Sequence, residues 1–156
     1  MHGASKPKVT RTPTQRALDL LTRREHSRKE LGRKLRAHGA DSVEVEAAIE
    51  KLTAAGWQDD ARFAELLVRS RAAAGQGPIR IRAELATHGL GREEIAAALD
   101  AYEGDWSANA RDLLRRRCGV ITATDRQARH KAVELLMRRG FGDEHIRAAT
   151  RPDPDE

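Results

Sequence analysis

This sequence predicts an all-α fold, on three observations. Ala, Leu, Arg and Glu dominate, residues that keep most of their side-chain freedom in a helix. Aromatic residues make up only 3%, and the β-branched runs a sheet needs are missing. One pattern is also written three times. Aligned on Gly39, Gly89 and Gly140, the chain places Leu35, Leu85 and Leu136 four residues earlier. Val45, Ile95 and Ile146 follow six residues later, then Ile49, Leu99 and Thr150 at ten. The period is roughly fifty residues, the scale of a helical-repeat array. Such an array exposes a long contact face and carries no built-in reaction.

Residues 1–11 are polar and aperiodic and read as a tail. Thr12-Pro13 opens the first helix, with Thr12 as cap, Pro13 in the first turn, and Ala17, Leu18 and Leu21 as its apolar stripe. Ser27-Arg28-Lys29-Glu30 has capping-box spacing and starts a second helix that stops at Gly39. A third, near Asp41 to Ala55, buries Val45, Ala48, Ile49 and Leu52. Asp59 or Asp60 caps the fourth, whose inner face is expected to be Phe63, Leu66, Leu67 and Ser70. Gly75-Gln76-Gly77-Pro78 stops it and begins the fifth, Pro78 to His88. Glu93 to Tyr102, Ser107 to Arg117, about Asp125 to Arg139, and Asp143 to Thr150 complete the set. Repeats at 12–56, 57–103 and 104–150 follow, with a second tail at 151–156 whose two prolines cannot continue a helix.

Net charge is +5, and 34% of residues are charged, which suits thin helix layers and an anionic partner. Cys118 is alone, so a disulfide framework is excluded and a reducing cytoplasm fits. It is expected to be a buried structural residue on the stripe of Leu113 and Leu114. No apolar run approaches the roughly twenty residues of a membrane span, and the first residues lack the core of a signal peptide.

Chemistry-bearing motifs dissolve on inspection. Gly75-x-Gly77-Pro78 lacks the preceding strand and the Lys-Ser/Thr ending of a phosphate loop. Asp59-Asp60 reads as a cap facing a helix dipole rather than a metal or acid–base pair. His38 and His88 each stand one before a turn glycine, where an imidazole meets free helix carbonyls. No histidine pair has zinc-site spacing, and no nucleophile, base and orienter come together. No enzyme, cofactor or metal is expected.

Charge placement says more. Arg28, Lys29, Arg33, Lys34 and Arg36 make the second helix basic. Arg80 and Arg82 do so in the fifth, and Arg129, Lys131, Arg138 and Arg139 in the eighth. The following helices are acidic, through Glu44, Glu46 and Glu50, then Glu93, Glu94 and Asp100. At 100° per residue, Lys29, Arg33 and Arg36 gather on the side opposite Leu31 and Leu35. One such face is ordinarily just solvated; three in register favour a polyanionic partner.

Gly56-Trp57-Gln58-Asp59-Asp60-Ala61-Arg62-Phe63-Ala64, with Arg71, Gly75-x-Gly77-Pro78, Ile81, Glu84-Leu85 and Gly89-Leu90, resembles the signature of the RecX family. His26-Ser27-Arg28-Lys29-Glu30-Leu31 with Lys34-Leu35 is similar to its opening motif, and Arg138-Arg139-Gly140-Phe141 with Ile146 to its closing one. The likeness covers roughly residues 14–150. It departs at Gln58, where an aliphatic residue is common, and at Thr150, which suggests a weaker third repeat. The resemblance implies an elongated, curved array of three tandem three-helix repeats. It implies a non-enzymatic cytoplasmic monomer that binds RecA and its filament on single-stranded DNA. Such proteins restrain filament extension, ATP hydrolysis, strand exchange and SOS co-protease activity, within homologous recombination and DNA repair. The family supplies no catalytic residue. Asp60, Arg62, Phe63, Gly77, Pro78, Leu85 and Gly89 read as architecture, and the basic residues Arg28, Lys29, Arg33, Lys34, Arg36, Arg80, Arg82, Lys131 and Arg138 as the contact face. Two other readings stay open, a non-specific DNA-binding helical protein and a generic protein-interaction scaffold.

Overall fold

The structure, a computed structural model, describes residues 3, 11–120 and 124–152. Among these, every regular element is an α-helix. They are α1 (Pro13–Arg23), α2 (Arg28–Ala37), α3 (Ser42–Ala54), α4 (Asp60–Ala73), α5 (Pro78–Thr87), α6 (Arg92–Asp100), α7 (Trp106–Cys118), α8 (Arg126–Arg138) and α9 (Asp143–Thr150). The chain divides after Asp60 into two compact units. Of the expected tails, residues 1, 2, 4–10 and 153–156 lie outside the described residues.

In the first unit, α1, α2 and α3 pack on one another. Thr12 opens α1 as expected, its hydroxyl accepting from the Gln15 amide at 3.2 Å while Gln15 Oε1 accepts from the Thr12 amide at 3.0 Å. Ser27 accepts from the Glu30 amide at 3.1 Å, the cap expected of α2. The Glu30 carboxylate, however, turns to Arg24. Ala17, Leu31, Leu35, Val45, Ile49 and Leu52 form the core, with Leu18, Leu20 and Leu21 packed on it. Burying each of the larger side chains contributes about 1.5–3 kcal/mol.

The second unit holds two clusters. Phe63, Ala64, Val68, Ile81, Leu85 and Ile95 centre the first; Leu113, Leu114, Leu136, Phe141 and Ile146 centre the second. Trp106 packs against both. The inner face of α4 differs from the expected one. Leu66 is 40% exposed and Ser70 is exposed, while Ala64, Val68 and Ala72 are buried. The stripe is centred between Phe63 and Ala64, and Leu66 lies about 100° round from Leu67. Cys118 is also not buried: α7 ends on it, beyond the last core contact at Leu114, and it is exposed. Thr150 closes α9 with its hydroxyl donating to the Ile146 carbonyl at 2.8 Å, and Ala149 fills the core beside it.

The three aligned glycines all stand in the left-handed region, with φ of 88° at Gly39, 76° at Gly89 and 90° at Gly140. That conformation turns the chain off a helix end and lets the next amide reach back. Ala40 donates to Leu35 O, and Phe141 to Leu136 O. The leucine–glycine spacing of the sequence is this turn.

Gly77 plays a part that a helix stop does not explain. Its amide donates to Arg139 O at 2.7 Å, and the Ile79 amide to Gly140 O at 2.9 Å. The start of α5 therefore supplies donors to carbonyls at the end of α8 that the helix itself leaves without a partner. A Cβ on Gly77 would lie 2.5 Å from Gly140 C and O, and one on Gly140 would lie 2.4 Å from Arg80 Cβ. Two backbones cross here with no room for a side chain on either.

Candidate functional site

The basic ridge is built on α2. Leu31, Gly32 and Leu35 anchor one side of that helix in the core. Its first amide, Arg28 N, donates to Asp60 Oδ1 at 2.8 Å. Asp60 thus supports the start of α2 as well as opening α4. With the helix fixed in this way, Lys29, Arg33 and Arg36 stand exposed at i, i+4 and i+7. The Arg36 guanidinium lies over Gly32, where a Cβ would sit only 3.1–3.2 Å from its nitrogens. Arg28 is exposed and 3.5 Å from Glu50.

Lys34 does not belong to this ridge. Its ammonium donates to His26 Nε2 at 3.0 Å and stands 3.9 Å from Glu30 Oε2. His26 is buried, its Nδ1 sits 3.0 Å from the Arg24 carbonyl, and Arg24 grips Glu30 with two bonds of 3.0 and 2.8 Å. Nδ1 therefore carries the proton and Nε2 accepts. Burial lowers the His26 pKa, reinforced by the nearby Arg24 and Lys34 charges, against the bond to the Arg24 carbonyl. Burial works against the Glu30 charge, but the Arg24 bond and the surrounding positive charge outweigh it, so its carboxyl stays below the usual range. Lys34, half-buried, is thus tied to His26 and Glu30, partners that the sequence pattern did not show.

In the second unit Arg80, Arg82, Lys131 and Arg138 are exposed, as expected of contact residues. Among the residues read as architecture, Leu85 is fully buried and Phe63 is 5% exposed, its ring 4.6 Å from that of His88. Pro78 is the first residue of α5, and Arg62 is exposed. His38 and His88 are the C-cap residues of α2 and α5, the positions read from sequence. Arg71 reaches from α4 to Glu84 on α5 through bonds of 2.8 and 2.7 Å, and this pairing lowers the Glu84 pKa. Gln58 is 2% exposed and fully engaged. Thr53 Oγ1 donates to its Oε1 at 2.8 Å, and its Nε2 donates to Asp60 Oδ1 at 2.9 Å and the His26 carbonyl at 3.3 Å. No cluster of three or more metal-ligating side chains is present among the described residues. None of their helices is long and apolar enough to cross a membrane.

Three family models match in order along this chain. They are the first three-helix domain of RecX at residues 14–52, the second at 59–99 and the third at 103–150. The regulatory protein RecX of Stenotrophomonas maltophilia strain R551-3 is 64% identical over 145 residues, covering 93% of this chain and 89% of that protein. The chain belongs to the RecX family. The RecX of Xanthomonas axonopodis pv. citri, also named as a regulatory protein, is 60% identical over 93% of this chain and 90% of its own length. The crystal structure of RecX from Lactobacillus salivarius shares the fold with a TM-score of 0.74 at 24% identity, over 88% of this chain and 91% of that one. The expected three-helix organisation is therefore that of RecX, and the relatives bear the name of regulatory proteins.

Proposed function

We propose that this RecX-family chain is a non-enzymatic regulator that binds the RecA–DNA filament and restrains RecA. Filament extension, ATP hydrolysis, strand exchange and SOS co-protease activity are the steps it damps. It acts as a monomer in the cytoplasm, through the three repeats at 12–56, 57–103 and 104–150. Family membership supports the reading, and the exposed ridge of Lys29, Arg33 and Arg36 on α2 is the observation that carries it. No carboxylate lies within ion-pair distance of these three side chains among the described residues, so their charge remains available to an anionic partner. Arg28, Arg80, Arg82, Lys131 and Arg138 extend the contact face.

The test is RecA ATP hydrolysis on single-stranded DNA, with this protein added below stoichiometry. Slower hydrolysis and halted filament extension are expected, with no nucleotide turnover by the chain alone. Unchanged RecA rates at equimolar protein refute the proposal. Equal binding to naked DNA and to the filament at physiological salt instead identifies a non-specific DNA-binding protein.

A further inference from the structure

The first unit carries a second cationic feature, separate from the ridge. An open cleft of about 430 Å³ lies between α1 and α2, lined by Arg16, Leu20 and Arg23 from one helix and Lys34, Ala37 and His38 from the other. That volume falls within the range of about 300–1,000 Å³ typical of ligand sites. Asp19 is the one carboxylate in the lining, and it is paired with Arg11, which lines the cleft too. The Arg16 and Arg23 guanidinium groups have no hydrogen-bond or ion-pair partner among the described residues, the Arg16 amide donating to the Thr12 carbonyl within the helix. Lys34 is held in place from behind by His26. The cleft thus holds two guanidinium charges, those of Arg16 and Arg23, that no carboxylate pairs with among the described residues.

We propose that this cleft binds the phosphate oxyanions of a single nucleic-acid strand. Arginine presents a planar fork that meets a phosphate with two parallel bonds. Arg16 and Arg23 are two turns apart, about 10 Å along the helix axis, too far to share one phosphate and suited to two. Leu20 stands between them in sequence, and with Ala37 it offers apolar surface to the sugar linking those phosphates. A strand entering and leaving an open cleft fits this layout better than a small enclosed anion. Winding α2 at 100° per residue centres Lys34, Ala37 and His38 about 125° round the helix from the centre of Lys29, Arg33 and Arg36, with Arg33 and Ala37 at the border between the two sets. The two features can therefore engage different groups at once.

The test uses the full chain and a fluorescein-labelled dT20 oligonucleotide, read by anisotropy across a salt series. Arg16→Ala/Arg23→Ala is expected to weaken binding about ten- to thirtyfold near 0.1 M salt and to flatten the log–log salt slope by about 1.4, the loss of two single-strand contacts. Arg16→Lys/Arg23→Lys keeps the charges and should retain most of the slope. Unchanged affinity and slope in the alanine pair overturn the site. A second readout needs no variant, namely modification of the native chain by phenylglyoxal mapped by mass spectrometry. Protection of Arg16 and Arg23 by dT20 but not by thymidine monophosphate at equal phosphate concentration assigns a strand. Equal protection by both keeps the phosphate site and assigns it to any phosphate ester. Protection by polyglutamate and none by dT20 means an acidic protein segment and overturns the proposal. Neither readout contains RecA, so failure here is separable from failure of the regulator reading.

Discussion

His26 and Gln58 show how a residue's role is set by what surrounds it. Neutral His26 accepts from Lys34 and donates to the Arg24 carbonyl, so a second proton would abolish the acceptor and add charge beside an ammonium. Its folded pKa is lowered, so below about 6.5 the unfolded chain binds protons that the folded chain resists. This contribution is complete above about 6.5 and is lost as pH falls toward the folded pKa. Glu30 has the same sign further down, being present above its ordinary value and lost as pH drops through its lowered one. Urea midpoints should therefore fall between pH 8 and pH 5, and His26→Gln should flatten that fall; an identical pH profile in the variant removes His26 from the account. Gln58→Ala should cost about 1–3 kcal/mol in the same measurement, because it opens a cavity and strips a donor from the buried His26 carbonyl. Gln58→Leu should cost less, since its side chain fills the space that alanine leaves empty, while in both variants Thr53 still donates to Ile49 O and Asp60 still accepts from Arg28 N. In sequence Gln58 was visible only as a departure from an aliphatic position. Its partners come from residues 26, 53 and 60, and no local period reports such a meeting. The bonds of Lys34 to His26 and Glu30 were hidden for the same reason: a helical wheel gives the direction of a side chain, not what waits there.

Helices were legible because their signals are local. The Thr12 and Ser27 caps, the proline starts and the leucine–glycine stops each act within a few residues, and each appears where the spacing placed it. The face of α4 was read less well, because Leu66 and Ala64 compete for burial and the tighter packing at Ala64 and Val68 wins. The crossing at Gly77 and Gly140 was not legible at all, since it joins turns from two different repeats. It makes a sharp ordering of glycine substitutions. Gly39→Ala meets no atom within 4 Å and bears only its φ of 88°, a penalty of roughly 1–2 kcal/mol. Gly77→Ala has no such dihedral, yet its methyl would strike the Gly140 carbonyl at 2.5 Å, and the backbone there cannot give way cheaply. Urea denaturation should show Gly77→Ala losing more stability than Gly39→Ala, by upwards of about 1 kcal/mol, with Gly140→Ala, which combines both faults, worst of all. A Gly77→Ala protein as stable as the parent would mean the two turns do not meet this closely in solution.

For the molecule as a whole, the deciding question is whether a regulator of this kind works by net charge or by a placed ridge. The chain carries 29 Lys and Arg against 24 Asp and Glu, so any three reversals change the sign of its net charge. Lys29→Glu/Arg33→Glu/Arg36→Glu alters exposed side chains only and leaves Leu31 and Leu35 in the core. Like charges at i, i+3 and i+4 repel by a few tenths of a kcal/mol per pair in either sign, so the melting temperature should stay within a few degrees. Lys51→Glu/Arg69→Glu/Arg92→Glu makes the same change of charge at exposed positions scattered over three other helices. Long-range attraction to a polyanion treats the two variants nearly alike and fades beyond about 10 Å at 0.1 M salt. Direct contacts do not, because each phosphate neutralised adds about 0.7–0.9 to the salt slope. The ridge variant should therefore lose inhibition of RecA ATP hydrolysis and flatten the salt dependence of filament binding, while the scattered variant keeps most of both. Equal loss in the two would make bulk charge the cause. Full inhibition by the ridge variant with an unchanged slope would reduce Lys29, Arg33 and Arg36 to a solvated face and move the contact surface elsewhere.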